Sequence, residues 1–253
     1  MSILPIARIT LLEAARSRLV WLVGLALVAS LAVAGFLQQV ALIEVREIQG
    51  AIIAALLRAC AAFFVVLFVV MSMVREANDK FLELALSQPM PRAGYLLGKY
   101  LGFAAVAAAV AVALSLPLAL FAPAGHVAGW AVSLFCELLI MAAVGLFCVL
   151  TLSHVLGALT AVAGFYVLAR SIAALQVIAA ASPDTVALAP RIADWMAQGI
   201  ALLMPRLDRM TQSAWLADGG PGLADLGNAL GQAVLYVALI LAAALFDLYR
   251  QEL

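Results

Sequence analysis

An all-α integral membrane protein with six spans is the expectation from this chain. Its 253 residues are 67% hydrophobic and only 11% charged, whereas soluble domains carry about 25% charged residues. Its mean hydropathy is +1.16. Apolar runs of about 20 residues recur along it, long enough to cross a hydrocarbon core of about 30 Å at about 1.5 Å per residue.

Residues 1–18 come first. Ile6, Ile9, Leu12 and Leu19 recur at helical spacing, with Arg8, Glu13, Arg16 and Arg18 interleaved. That pattern predicts an amphipathic helix lying on the inner membrane surface. The following apolar run, residues 19–40, is too long for the apolar core of a signal peptide, which is about 7–15 residues. It is read as a retained first span. Further runs fall at residues 51–74, 99–122, 128–153, 155–181 and 231–248. The fourth and fifth are nearly fused, and the polar dip Thr151-Leu152-Ser153-His154 is the only place to divide them.

Residues 182–230 are too polar to span and form an outer segment. Within it, residues 192–204 are apolar but short and are ended by Pro205, which fits an interfacial or re-entrant helix. Trp21, Trp130, Trp195 and Trp215 are expected at headgroup level. Gly219-Gly220-Pro221-Gly222 reads as a turn.

Orientation follows from Lys and Arg in the short flanks. With a cytoplasmic N-terminus, the inner face holds Arg8, Arg16, Arg18, Arg75, Lys80, Arg92, Lys99 and Arg250. The outer loop around Pro123 to Gly129 holds none. Both termini are therefore expected in the cytoplasm.

Several function classes are disfavoured. Lys plus Arg equals Asp plus Glu at 14 each, so no basic balance points to nucleic acid. Cys60, Cys136 and Cys148 sit in apolar runs without CxxC spacing, which does not suggest a disulfide framework. His126 and His154 fall in different loops on opposite faces, a poor start for a metal site. Met71, Met73 and Cys60 read as packing residues rather than a soft-metal path. Gly94-Tyr-Leu-Leu-Gly98-Lys99-Tyr100 has too few residues between its glycines for a P-loop and lacks the Ser/Thr that would hold magnesium. No ATP site is expected in this chain.

Arg58, Glu137 and Arg170 lie within spans, in the outer half by helical rise. Each charge at that depth costs about 2.5–3.5 kcal/mol and is normally turned inward and paired. Two readings are open: an ion pair between packed helices, or a polar lining for an anionic path.

The most distinctive segment is the charged insert at residues 75–102, REANDKFLELALSQPMPRAGYLLGKYLG. Phe81, Leu82, Leu84 and Ala85 alternate with Glu76, Asp79, Lys80 and Glu83 at helical periodicity, and Pro89 and Pro91 stop that helix. Gly94, Gly98 and Gly102 then repeat every four residues, a small-residue stripe that lets helix backbones approach closely in lipid. An ordinary solvated loop with a juxtamembrane helix is the plain alternative.

Glu76, Leu82-Glu83-Leu84-Ala85-Leu86-Ser87, Pro89, Arg92 and Leu96-Leu97-Gly98-Lys99 resemble the permease subunits of ABC-2 type (type V) ABC transporters. The variety linked to nitrous-oxide reductase and multicopper-enzyme maturation is similar also at Ile6-Ala7-Arg8, at Arg16 and Arg18, and at Met204-Pro205-Arg206-Leu207-Asp208-Arg209. The chain departs from the family pattern in carrying Asn78-Asp79-Lys80-Phe81 where members often have glycine and threonine.

The resemblance implies one transmembrane domain over residues 1–253, in a bacterial inner membrane. Residues 76–87 would be a cytoplasmic coupling helix in a region spanning residues 75–92, seated in a groove of a separate ATPase. Glu76, Asp79, Lys80 and Glu83 would sit at the groove rim and Phe81, Leu82 and Leu84 in its floor, with Pro89 and Arg92 completing the motif. It further implies a homodimer with two ATPase copies, which hold ATP and magnesium, and an accessory protein on the extracytoplasmic side. This chain would have no catalytic residues and no cofactor. The rival readings are a membrane scaffold or assembly factor and a secondary transporter, the latter disfavoured by the lack of an internal repeat.

Overall fold

The computed structural model describes residues 3–40, 45–78, 92–152, 154–180, 199, 204–216 and 219–250. Among them every long element is helical. These are α1 (Ile3–Arg16), α2 (Leu19–Val40), α3 (Val45–Asn78), α4 (Arg92–Ser115), α5 (Ala124–Leu152), α6 (Val155–Ala180) and α7 (Leu223–Arg250). Short 3-10 turns lie at Leu116–Leu120, Leu207–Arg209 and Ser213–Leu216. Six helices, α2 to α7, are long and apolar enough to cross a membrane. The chain is a multi-pass, all-helical membrane protein.

The helices outrun the apolar stretches that predict them. The second spanning helix begins at Val45 and continues to Asn78, and the third begins at Arg92. Charged residues at the ends of an apolar run do not stop a helix, because its backbone hydrogen bonds close regardless of side-chain polarity. The third span loses its α-geometry at Ser115, where Pro117 falls within the first two positions of a 3-10 turn. The expected division between the fourth and fifth spans holds: α5 ends at Leu152 and α6 begins at Val155.

At the centre stands α5. It packs against α3, α4, α6 and α7, and its face toward them is buried from Val127 to Leu150. By contrast α2 and α7 carry long exposed apolar faces, among them Trp21, Leu25, Val28 and Phe36 on α2 and Val234, Leu239 and Phe246 on α7. Such faces suit lipid tails.

The surface placement expected for the N-terminal helix is only half of what is found. α1 packs along α4, and its Thr10 is fully buried there. A Cβ on Gly102 would lie 2.6 Å from the Thr10 Cβ, so only glycine admits this approach. Leu4, Ile9, Leu11 and Leu12 remain exposed on the other side of α1. The partner of the glycine stripe at Gly102 is thus the amphipathic helix. Gly98 is also buried on α4, whereas Gly94 is half-buried.

The tryptophans differ in burial: Trp130 is completely buried and Trp215 nearly so, whereas Trp21 is exposed. The reason is the chain before α7, which folds back over the start of α5. Gly219 and Gly220 take φ of +96° and +81°, so the expected turn forms with the left-handed backbone that glycine tolerates. Pro221 presses on Gly129, and a Cβ at Gly220 would meet the His126 ring at 2.7 Å. Trp195 and residues 192–198 and 200–203 of the expected interfacial helix lie outside the described residues.

Candidate functional site

Two clusters of polar side chains interrupt the apolar interior, one toward each end of the bundle. Both use the same device: residues four apart share a helix face.

Toward the α1 end, α3 presents Ser72 and Glu76, and α4 presents Tyr95 and Lys99. Lys99 pairs with Glu76 and is almost wholly buried. The Tyr95 hydroxyl donates to Glu76 Oε2 at 2.6 Å. Ser72 Oγ donates to Glu13 Oε2 at 2.9 Å, which brings α1 into the same cluster. The Lys99 ammonium also lies 5.8 Å from the Phe103 ring centroid, within range of a cation–π attraction. Three helices are therefore tied together beside residues 79–91.

Glu76 sits in the last turns of the spanning helix α3, only partly exposed, with its carboxylate bonded to Lys99 and Tyr95. Arg92 is the first residue of α4, and its Nη1 donates to the Leu248 carbonyl at 2.8 Å, tying α4 to the end of α7. Asp247 on α7 accepts a hydrogen bond from Thr151 Oγ1 at 3.0 Å, joining α7 to the end of α5. Asp79, Lys80, Phe81, Leu82, Glu83, Leu84 and Pro89 lie outside the described residues.

The second cluster unites Arg58, Glu137 and Arg170, the three charges that the sequence places inside spans. Arg170 Nη1 lies 3.6 Å from Glu137 Oε2, and Glu137 is completely buried. What the sequence does not reveal is the fourth participant, the segment before α7. Arg58 Nη1 donates to the Thr211 carbonyl at 2.8 Å. Arg170 Nη1 donates to the carbonyls of Leu207 at 2.6 Å and Met210 at 3.1 Å.

Thr211 is the key of this lock. Its hydroxyl donates to Glu137 Oε2 and its N–H donates to Ser133 Oγ at 3.0 Å. Its φ is +50°, the only positive value among the described non-glycine residues. A left-handed backbone at an L-residue costs roughly 1–2 kcal/mol, and a β-branched residue there is a true outlier. Both hydrogen bonds oppose that cost.

Asp208 lies within electrostatic range of Arg170, so two cations meet two carboxylates here. That balance fits a structural ion pair better than a cationic lining. Tyr166 lies one helical turn before Arg170 and within electrostatic reach of the same three charges.

Ser133, Tyr166 and Thr211 in this cluster, and Glu13, Ser72, Tyr95 and Lys99 in the other, escape a reading that looks only for charges inside spans. For all of these but Glu13 and Thr211, the four-residue spacings Ser72/Glu76, Tyr95/Lys99, Ser133/Glu137 and Tyr166/Arg170 are the signal that could have found them.

A groove of about 260 Å³ opens where α1, α2 and α4 meet, lined by Leu11, Ala14, Leu19, Val23, Val106 and Val110. It has no converging polar groups. No group of three or more His, Cys, Asp or Glu able to hold a metal occurs among the described residues. No protein-family model matches the chain, and no curated protein matches it either.

Proposed function

We propose that this chain is the membrane subunit of an ABC-2 type transporter, driven by a separate ATPase that binds at the coupling region, residues 75–92. The observation that carries this reading is the cluster of Glu13, Ser72, Glu76, Tyr95 and Lys99. A segment pushed by a motor moves a bundle only if its two flanking helices respond as one body. Here α3 and α4, which flank residues 79–91, are joined by a buried ion pair and a charge-assisted hydrogen bond, and α1 is joined to both. Bonds to charged partners contribute about 1.5–3 kcal/mol each, enough to make the three helix ends a stiff lever.

In this reading two copies of the chain work with two ATPase copies, which bind ATP and magnesium. Both termini face the cytoplasm of a bacterial cell, and the membrane is the inner one. The output is export of a substrate, or force on an accessory protein outside, as in the metalloenzyme-maturation variety that the chain resembles.

The test is capture and coupling. Tagged chain purified from its own host should bring down an ATPase bearing a Walker motif, and Glu83→Lys should lower that ATPase's stimulation without preventing membrane insertion. Glu83 is preferred to Arg92 for this purpose, because Arg92 also holds α7. Equal ATPase stimulation by both proteins, or free proteolysis at residues 79–91 in the captured assembly, would refute the assignment.

A further inference from the structure

Six buried side-chain polar atoms among the described residues lack a well-aligned hydrogen bond within the protein: Arg58 Nε, Lys99 Nζ, His126 Nδ1, Trp130 Nε1, Glu137 Oε1 and Asp208 Oδ1, with the Tyr166 hydroxyl within reach of Glu137 and Arg58. Lys99 has its ion-pair partner in Glu76. The other five run from the opposite end of the bundle toward its middle, beside the segment that precedes α7.

Their arrangement is regular. His126, Trp130, Ser133 and Glu137 are spaced four, three and four residues apart along α5, and at about 100° per residue they form one narrow stripe. The stripe descends about 16 Å from His126, partly exposed at the helix start, to Glu137, wholly buried. Gly220 covers His126, and Thr211 covers Ser133 and Glu137. Arg58 reaches the same Thr211 from α3, and Asp208 belongs to the turn whose neighbours Leu207 and Met210 bind Arg170.

A buried polar atom without a partner costs about 1–3 kcal/mol. Native proteins avoid such atoms almost everywhere by bonding them to protein or to ordered water. The chemistry of these five selects their partner. Arg58 Nε and Trp130 Nε1 can only donate, Glu137 Oε1 and Asp208 Oδ1 accept, and His126 Nδ1 does either according to tautomer. An anion would satisfy only the donors and would be repelled by Glu137. A metal cation would satisfy only the carboxylates and the imidazole and would be repelled by Arg58 and Arg170. Water donates and accepts in one small molecule, and a buried water commonly makes about three hydrogen bonds.

We infer that the His126–Trp130–Ser133–Glu137 stripe is a hydrated seam, a water-binding site that gives the buried Glu137–Arg170 pair aqueous access from the end of the bundle remote from α1. The inference is independent of the proposed ATPase partner.

Radiolytic hydroxyl-radical footprinting of the intact native protein, in ¹⁸O-enriched water with peptide mass spectrometry, tests it without a variant that might misfold. Radicals formed from bound water oxidise the side chains beside it. Trp130 has 0% exposure, the same as Phe103 and within a per cent of Met141. Corrected for intrinsic reactivity, Trp130 should be oxidised several-fold faster than Phe103 and Met141 and should carry ¹⁸O. Oxidation of Trp130 no faster than that of the two controls would mean a dry seam and would overturn the inference.

Discussion

The two polar clusters of this bundle are built alike and constrained differently. Each sets pairs of residues four apart on adjacent helices, and α3 carries both, with Arg58 and Ser72 about 21 Å apart along its axis. The cluster near α1 joins side chain to side chain: carboxylate to ammonium, phenol to carboxylate, hydroxyl to carboxylate. The opposite cluster also has side-chain pairs at Glu137, but adds bonds from side chain to main chain, its arginines gripping carbonyls of an irregular segment. Helix ends held by side chains stay helices and move as rods. A non-helical segment held by arginines has its own backbone groups satisfied at membrane depth, the condition under which such backbone is tolerated there. One cluster therefore stiffens, whereas the other closes.

The largest effect that could break this contrast is expected at Glu137. Glu137→Ala removes the carboxylate that faces two guanidiniums and the Thr211 hydroxyl. Breaking a buried pair from one side typically costs about 3–5 kcal/mol, because the remaining charge is left uncompensated. Thermal unfolding in detergent should show a much larger loss than for Glu76→Ala, whose partner Lys99 stands nearer a helix end. A smaller loss for Glu137→Ala than for Glu76→Ala would reverse the assignment of which cluster is the deeper one.

Next in size comes Gly102→Val. The side chain would collide with Thr10, and overpacking of this kind costs typically about 1–3 kcal/mol. α1 should part from α4, and with it the Glu13–Ser72 bond. Protease accessibility of residues 3–16 should rise while the six spanning helices persist by circular dichroism. Unchanged accessibility would mean that α1 is held by something other than its contact with α4.

How much of this was legible beforehand depends on range. Six spans were readable because an apolar run of spanning length is a local property, and so was the turn at Gly219 to Gly222, whose residues dictate their own backbone. That Arg58, Glu137 and Arg170 stand within spanning helices was readable, but their convergence on Leu207, Met210 and Thr211 was not. Arg58 and Thr211 are separated by 153 positions, and nothing in the composition of residues 204–216 announces that its carbonyls will receive guanidiniums. The burial of Trp130 was unreadable for the same reason, because the cover comes from residues far along the chain. Glu76 is the opposite case: the Tyr95 and Lys99 that bond its carboxylate were in view, four residues apart in the same insert.

Tyr95→Phe sharpens the stiffening side of the comparison. It removes one charge-assisted hydrogen bond, about 1.5–3 kcal/mol in scale, and leaves the ring packed and the Glu76–Lys99 pair in place. The unfolding midpoint should fall by less than in Glu137→Ala, and within the proposed transporter the ATPase should run with weaker coupling. If the midpoint drops as far as in Glu137→Ala, the two clusters are equally deep and the distinction between them fails.

The smallest effect is expected at Thr151→Val. Its hydroxyl bonds to Asp247 where both side chains meet solvent, and exposed contacts to a charge contribute about 0–1 kcal/mol. The variant keeps the β-branched shape, and valine cannot compete for the Phe147 carbonyl that Thr151 also engages. The midpoint should scarcely move, and any shift should shrink further as salt is added, because exposed electrostatics are screened over about 8 Å at physiological ionic strength. A large, salt-independent loss would instead mean that the α5–α7 contact at this end is buried in the working assembly. The exposed apolar faces of α7 would then have a protein neighbour rather than lipid.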